Sequence, residues 1–241
     1  MNIHKKIENK YPKYNLDPMS VDIDLVAELI FINYLNPKHC WEIGTGKGDW
    51  AMWMNLHMEE KAHWNITENF DWSNTSNHNK KKYIPKDWPK NTNDIINHIN
   101  NVFNQTNKKF YFNLYDKDIN EIWHQVKSPV DLWRIDCDIE NDEQAIKKML
   151  EYSSDNVIFF VDDIANPSCL NRICLMMDQV KQGNLELVFM GKGEGAWTKP
   201  GIINKFEMYD LFKEKQEYFK SWMSLDDKLL FGKKSEYIIV G

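Results

Sequence analysis

Acidic residues follow five apolar segments of the chain, at the points where predicted β-strands end. When parallel strands lie in one sheet, the residues after their carboxyl ends meet at one edge. Carboxylates gathered there can accept hydrogen bonds from hydroxyl groups or hold a hard divalent cation. One acid at such a position is explained as well by a helix cap or a turn, but five on one edge indicate a binding site. In chain order they are Glu42, Glu68 or Asp71, Asp116 with Asp118, Asp136 with Asp138 and Glu140, and Asp162 with Asp163.

A glycine-rich turn directly follows the first of these acids. It contains Glu42, Gly44, Thr45, Gly46 and Gly48, and it leads into a helical pattern. Glycine allows positive φ angles and the close approach of a ligand to the backbone, and a helix start offers free N–H groups. The spacing G-x-G-x-G differs from the G-x-G-x-x-G of dinucleotide sites, and no segment has the P-loop form. The turn therefore predicts a cofactor cradle of another kind.

The elements that would carry these residues alternate between strands and helices. Apolar segments predict strands at about 39–44, 62–71, 110–114, 130–135, 156–161, 185–190 and 237–240. This alternation predicts an α/β fold: a doubly wound, Rossmann-like, mostly parallel seven-stranded sheet with helices on both faces. We expect one domain over 1–241, with an N-terminal arm and helix at 1–38 and a loop insert at 72–93. The glycine-rich run 191–197 is expected to be a hairpin turn, or else a loop that places Trp197 beside a substrate.

The glycine turn and its preceding acid resemble motif I of the class I S-adenosylmethionine (SAM) methyltransferases. Two more segments extend the resemblance: 130–138, which ends in Asp136-Cys137-Asp138, and 158–163, which ends in Asp162-Asp163. Both are similar to strand ends of the FkbM, catechol and cephalosporin-hydroxylase-like methyltransferase groups. The resemblance covers about residues 39–190. It implies a SAM-dependent methyltransferase that transfers a methyl group to a hydroxyl of a small molecule or a sugar.

The resemblance also implies roles toward SAM for individual residues. Glu42 would lie near the amino acid end of SAM, where the glycines make room for it. Glu68 or Asp71 would accept the two ribose hydroxyls, and the sequence does not choose between them. Asp116 would accept a hydrogen bond from the adenine amino group. The residues predicted to bind the cofactor are Glu42, Gly44, Thr45, Gly46, Gly48, Glu68, Asp71, Asp116 and Asp136.

In metal-dependent relatives a divalent cation lies on the carboxylates after the fourth and fifth strands. The corresponding residues here are Asp136, Asp162 and Asp163, and Mg²⁺ prefers such oxygen ligands. Asp136 and Asp162 are also the predicted catalytic residues, since a bound metal lowers the pKa of an acceptor hydroxyl and orients it. Because the family also has metal-free members, the use of Mg²⁺ stays open at this point.

The chain departs from the family pattern after the fourth strand. The family's Gly and His are Cys137 and Ile139 here, so the usual base from this loop is missing. The remaining candidates for a general base are Asp138, Glu140 and His124. These departures keep open a non-catalytic Rossmann-like binding module. A NAD(P)-dependent oxidoreductase is a further alternative, which the G-x-G-x-G spacing disfavours.

Composition narrows the expected setting and partners. The formal net charge is −6 and the basic residues are scattered, which argues against a nucleic-acid partner. The N-terminal residues have no apolar leader pattern, and no apolar stretch is long enough to span a membrane. The four cysteines lack metal-site spacing and predict reduced thiols in a cytoplasmic protein. A homo-oligomer is left open.

Overall fold

A computed structural model gives the arrangement of most of the chain. It describes residues 23–58, 61–70, 89–104, 108–127, 129–191, 193–204, 206–208 and 210–211. The helices are α1 Ile23–Leu35, α2 Asp49–His57, α3 Thr92–Phe103, α4 Ile119–Ile122, α5 Asp142–Tyr152 and α6 Leu170–Lys181. The strands are β1 His39–Ile43, β2 His63–Thr67, β3 Tyr111–Tyr115, β4 Val130–Ile135, β5 Ser153–Val161, β6 Glu186–Met190 and β7 Gly195–Thr198.

The described strands form one seven-stranded sheet in the order β3-β2-β1-β4-β5-β7-β6. Strands β1 to β5 run parallel to one another, whereas β7 is antiparallel to both β5 and β6. A dinucleotide-binding sheet has the order 3-2-1-4-5-6. The antiparallel strand inserted between the fifth and the sixth therefore distinguishes this sheet. The predicted doubly wound, mostly parallel α/β fold is confirmed.

The seventh strand is not the predicted one. The predicted segment 237–240 lies outside the described residues, and the run 191–197 was expected to be a turn or a loop. In the structure the first part of that run forms the predicted hairpin turn, between the antiparallel strands β6 and β7, and its last residues belong to β7, Gly195–Thr198. Trp197 is fully buried, so it belongs to the core rather than to a loop beside a substrate. The strand was missed because glycine is depleted in strands and usually marks turns.

Alternate residues of the strands build two separate hydrophobic layers. Leu132 and Phe160 point into the layer that α1, α2 and α3 cover. Trp133 and Phe159 point into the opposite layer, which α4, α5 and α6 cover. Because helices cover both faces of the central strands, these strands read as nearly continuous apolar runs.

Helix α3 shows how a helix is fixed to the sheet. Its apolar residues Ile95, Ile99 and Val102 are buried. It begins after Asn91, whose side chain accepts a hydrogen bond from the backbone N–H of Asp94 at 3.2 Å. Within the part of the chain that the structure describes, no helix is long and apolar enough to cross a membrane.

The parallel strands end at one level. Ile43 at the end of β1 pairs with Thr67 at the end of β2 and with Ile135 at the end of β4. Ile135 in turn pairs with Val161 at the end of β5. The loops after these strands therefore begin side by side. The strand order reverses between β1 and β4, which is where ligands bind in sheets of this kind.

Candidate active site at the carboxyl edge of the sheet

The glycine turn between β1 and α2 is held by backbone hydrogen bonds. Gly44, Gly46 and Gly48 have φ angles of 81°, 57° and 83°, which are left-handed values that other residues adopt at a cost. The N–H groups of Gly44 and Thr45 both donate to the carbonyl of Thr67, at 3.0 and 3.1 Å. The turn is thereby fixed to the end of β2.

Gly44 also allows the turn to approach the end of β4. A Cβ atom added there would lie 2.4 Å from the Cβ of Cys137 and 2.5 Å from the backbone oxygen of Asp136. No side chain fits into that space without displacing backbone. The first glycine of the motif is therefore required by the protein itself, before any ligand is considered.

Glu68 braces the glycine turn from the end of β2. Its Oε2 accepts a hydrogen bond from the N–H of Gly46 at 2.8 Å, and its Oε1 accepts one from the N–H of Phe70 at 3.3 Å. Burial raises the pKa of Glu68, although these backbone donors oppose the shift. Of the two predicted ribose ligands, Glu68 thus lies against the turn. Asp71 lies outside the described residues.

The two acids after β3 differ in their surroundings. Asp116 is exposed at the end of β3. Asp118 is the N-cap of α4, where its side chain accepts a hydrogen bond from the N–H of Asn120 at 2.8 Å. Asp118 therefore has the capping role that a lone acid at a strand end often has, and Asp116 is the acid that remains available at this position.

Arg134, in the middle of the apolar run of β4, is a central site residue that was not predicted from the sequence. Its side chain is 4% exposed. Its Nη1 donates to Oε1 of Glu42 at 3.2 Å and to Oδ2 of Asp136 at 2.7 Å, and its Nη2 donates to Oδ2 of Asp162 at 2.8 Å. Its Nε lies 3.6 Å from Oε1 of Glu194. The four carboxyl groups come from β1, from the ends of β4 and β5, and from the turn before β7.

Strand alternation explains why these groups meet. Glu42 pairs with Arg134 across β1 and β4, so both side chains leave the same face of the sheet. Asp136 lies two residues beyond Arg134, and Asp162 lies two residues beyond Phe160, which also pairs with Arg134. A charged residue inside the apolar run 130–135 was the available signal, since a buried charge requires partners.

Burial shifts the protonation of this cluster. It raises the pKa of Glu42 to about 8 and that of Asp136 to about 7, although Arg134 opposes both shifts. Burial also lowers the pKa of Arg134. The charges of Asp136, Glu194, Asp162 and Glu42 outweigh that effect and raise the arginine pKa well above its usual value. The arginine is therefore charged, while Glu42 and Asp136 titrate near neutral pH.

Helix α1 adds another acid and α2 adds an aromatic ring to the cluster. The Nε1 of Trp50 donates to Oε2 of Glu28 at 2.7 Å, and the Trp50 ring lies 4.7 Å from the guanidinium carbon of Arg134. Burial raises the pKa of Glu28 to about 7. Burial and the charge of Glu28 raise the pKa of Glu194 well above its usual range. The side of the cluster away from the sheet is thus buried and acidic.

The turn between β6 and β7 joins α1 to the loop after β5. The N–H of Gly193 donates to Oδ2 of Asp24 at 2.7 Å. The carbonyl of Gly193 accepts a hydrogen bond from the N–H of Ile164 at 2.9 Å. These bonds hold Glu194 in place beside Arg134.

The predicted metal ligands do not fit a divalent cation. Oδ2 of Asp136 and Oδ2 of Asp162 face Arg134, and Oδ1 of Asp162 accepts a hydrogen bond from the N–H of Asp163 at 2.7 Å. The Asp163 residue is exposed, with a φ angle of 59°. Among the described residues, no group of three or more His, Cys, Asp and Glu side chains could hold a metal ion. These contacts disfavour the expected Mg²⁺ site, because an arginine lies where the metal was expected.

The three predicted base candidates lie in different places. Asp138 is exposed and its charge acts on Asp163, so it lies on the side of β5. Glu140 is exposed and its charge acts on Asp118, on the side of α4. The ring Nε2 of His124 lies 2.7 Å from Nε2 of its neighbour Gln125. Of the three, only Asp138 is placed toward the acids that follow β5.

The sequence matches no known family profile, and it matches no curated protein sequence. Solved structures nevertheless share its fold. An O-methyltransferase from Bacillus cereus in complex with S-adenosylhomocysteine is 12% identical, with a TM-score of 0.54 over 82% of this chain and 90% of that chain. The O-methyltransferase TomG from Streptomyces achromogenes, involved in tomaymycin synthesis and solved with SAM, is 10% identical, with a TM-score of 0.53 over 82% and 89%. A methyltransferase from Geobacter sulfurreducens is 11% identical, with a TM-score of 0.53 over 82% and 94%. This chain therefore has the class I methyltransferase fold.

Proposed function

We propose that this chain, which has the class I methyltransferase fold, is a SAM-dependent O-methyltransferase. Its acceptor would be a hydroxyl group of a small molecule or a sugar. One observation carries the proposal: the left-handed glycine turn 44–48 follows β1 at the point where the strand order reverses. Solved relatives of the fold are O-methyltransferases with SAM or its demethylated product. The inserted antiparallel β7 argues against a NAD(P)-dependent oxidoreductase.

The backbone of the glycine turn is the part of the chain that fits the cofactor. Gly46 and Thr45 would face the methionine portion of SAM, with Glu68 beside the ribose and Asp116 beside the adenine. A carboxylate has about four lone-pair sites, so Glu68 retains acceptors after its two backbone bonds. Glu42 is fully buried and acts indirectly, since its Oε2 accepts a hydrogen bond from the hydroxyl of Thr45 at 2.5 Å.

When bound, SAM supplies a methyl group on a positively charged sulfur. The chain's own contribution is to orient the acceptor and to receive its proton. Asp136 and Asp162 are suited to this role because their side chains are 26% and 20% exposed, while their oxygens are fixed by Arg134. A pKa of about 7 makes Asp136 an effective general base near neutral pH. Fixed orientation of the reactants would provide most of the rate gain. Four free cysteines support the cytoplasmic location that we also propose.

The test uses a variant of the turn and a matched control. Gly46→Val adds a branched side chain at a φ of 57° where the ligand would approach, and Gly183→Val adds the same side chain at a φ of 76°. An added Cβ at Gly183 would have no atom within 4 Å, so this variant has the backbone strain alone. In equilibrium dialysis with labelled SAM, we expect binding by the wild type and by Gly183→Val and no binding by Gly46→Val. Equal SAM binding by the two variants would show that the glycine turn is not part of the cofactor site. A folded wild type that binds no SAM would favour a non-catalytic module.

A further inference from the structure

The carboxylates after β4 and β5 already have a cation, and this cation belongs to the protein. Nη1 of Arg134 lies 2.7 Å from Oδ2 of Asp136, and Nη2 lies 2.8 Å from Oδ2 of Asp162. These are the two residues on which a divalent cation would depend. We propose that the guanidinium of Arg134 takes the place of that cation, and that it holds both carboxylates in position without a metal.

The guanidinium is fixed too firmly to move aside for a metal. Its side chain is 4% exposed, it also donates to Glu42 of β1, and it lies against the ring of Trp50. A planar guanidinium offers several N–H donors in a rigid arrangement, and it stays protonated in proteins. Here the donors reach three adjacent strands, so a swing of Arg134 would break three ion pairs at once.

Displacement of Arg134 would also leave the positive charge of its guanidinium without the carboxylates that now pair with it. Within the described part of the chain, the ion pairs of Glu42, Asp136 and Asp162 all go to this arginine. A buried charge that loses its partners is strongly unfavourable. A divalent cation at the same oxygens would moreover face a like charge within a few ångströms. Binding of Mg²⁺ or Mn²⁺ at this position is therefore opposed by both desolvation and repulsion.

The two cations differ in what they do to an acceptor. A divalent metal binds a hydroxyl oxygen and lowers its pKa, whereas a guanidinium orients carboxylates through directed N–H bonds. Arg134 is thus a positioning residue that acts through Asp136 and Asp162. This inference depends on the proposed function only for its consequence in catalysis. Whether the carboxylates bind a metal is a separate question from whether the chain binds SAM.

The experiment measures metal binding directly, on the full chain without SAM. Mn²⁺ is added to the wild type, and the amplitude of the electron paramagnetic resonance signal reports the free ion. We expect the signal in the presence of wild-type protein to equal that in buffer up to millimolar Mn²⁺. Stoichiometric loss of the free signal, abolished by Asp162→Asn, would overturn the proposal.

Removal of the internal cation gives the complementary test. In Arg134→Gln the carboxylates have lost their positive partner, and we expect them to bind Mn²⁺ at least roughly tenfold more tightly than the wild type does. Arg172→Gln is the matched control, because Arg172 is also buried but forms its ion pair with Asp142 at the start of α5. Arg172 also donates to the backbone carbonyl of Cys137 at 2.7 Å, so the control tests loss of a buried arginine near the loop after β4 without loss of the cation at Asp136 and Asp162. Arg172→Gln should gain no Mn²⁺ binding. The gain should disappear in the double variant Arg134→Gln/Asp162→Asn.

The remaining outcomes are also decisive. A folded Arg134→Gln that gains no Mn²⁺ affinity would contradict the proposal, since a merely structural arginine predicts that result. Where circular dichroism shows Arg134→Gln to be unfolded, Arg134→Lys replaces it. Lysine keeps one charge but lacks the planar fork, so we expect it to leave a measurable Mn²⁺ affinity that the wild type lacks. A folded Arg134→Lys without that affinity would count against the proposal.

Discussion

Backbone N–H groups donate the hydrogen bonds on the β1–β2 side of the switch point, whereas the side chain of Arg134 donates them on the β4–β5 side. On the first side, Thr67 and Glu68 accept hydrogen bonds from the N–H groups of the glycine turn. On the second side, Arg134 gathers carboxyl groups from three strands and from a distant turn. The two sides meet where Glu42 contacts both Thr45 and Arg134.

This difference teaches how one edge can serve a cofactor and an acceptor. Backbone N–H and carbonyl groups do not titrate, so a backbone cradle is insensitive to pH. Its specificity depends on steric fit, which the absence of side chains at the glycines allows. A buried ionic cluster has several protonation states, and its geometry depends on one central charge. We therefore expect substitutions on the two sides to have different signatures: a steric one near β2 and an electrostatic one near β5.

The largest effect should come from removal of the central charge. Arg134→Met leaves several buried carboxyl groups without a cation, and we expect it to lower the free energy of unfolding by about 3–5 kcal/mol. Arg172→Met is the control, because its loss leaves a single acid without its cation, together with the carbonyl of Cys137. That acid, Asp142, lies in the first turn of α5, where a negative charge is favourable. The cost of Arg172→Met should be about 1–3 kcal/mol. Urea denaturation measures the unfolding free energy of both variants. Equal losses would show that Arg134 contributes no more to stability than another buried arginine does.

A steric change at the glycine turn should rank next. Gly44→Ala places a Cβ 2.4 Å from the Cβ of Cys137 and also strains a φ of 81°. We expect a loss of about 2–4 kcal/mol in unfolding free energy, independent of pH. Gly183→Ala has the strain without the collision and should cost about 1 kcal/mol. A Gly44→Ala variant as stable as the control would mean that the turn does not pack against β4.

The pH dependence of stability should report the β4–β5 side. Glu42, Asp136 and Glu28 have raised pKa values of about 8, 7 and 7 in the folded chain. Acids in an unfolded chain titrate near pH 4, so the folded chain binds more protons between these values. The stabilisation is fully present below about pH 4 and is lost as the pH rises toward about 8.

We therefore expect the unfolding free energy of the unliganded protein to fall between about pH 6 and about pH 8, by about 1–2 kcal/mol for each of these three acids. Each extra bound proton contributes a slope of about 1.4 kcal/mol per pH unit. Denaturation at a series of pH values measures this slope, and Glu42→Gln should make it shallower. A stability that rises over this range would contradict the ionisation of the cluster described above.

The smallest effect should come from a change at Glu68, whose side chain accepts a hydrogen bond from the glycine turn. Glu68→Gln retains an oxygen that can accept the Gly46 N–H, and it replaces a buried carboxylate by a neutral amide. We expect a change in unfolding free energy of only about 0.5–1.5 kcal/mol, together with weaker SAM binding. Calorimetry on this variant separates the two effects. SAM affinity equal to that of the wild type would mean that Glu68 supports the glycine turn but does not bind the cofactor.

The parts that could be predicted from the sequence are those encoded by neighbouring residues. The turn 44–48 is contiguous, and the acids at 136 and 162 follow apolar runs that are easy to recognise, so their place at one edge followed from parallel strands. The Arg134 cluster is different, because its partners Glu42 and Asp162 are 92 and 28 residues away in the chain. Only the pairing of β1, β4 and β5 brings them together.

Two other differences have local causes. The strand at Gly195–Thr198 was not predicted because it begins with a glycine and follows two others, and glycine clusters usually mark turns. The metal expectation came from the carboxylates that metal-dependent relatives use. The spacing of Asp136, Asp162 and Asp163 contains no sign that an arginine two residues before Asp136 fills the space between them. Carboxylate patterns therefore predict a cation without predicting whether a metal or a side chain supplies it.

The most direct test of the central claim is calorimetric titration of the full-length wild type with SAM, once with Mg²⁺ and once with a chelator. We expect micromolar binding with the same affinity in both conditions, because we propose that the backbone turn holds the cofactor and that Arg134 takes the place of the metal. Absence of SAM binding in both conditions would contradict the proposed methyltransferase activity.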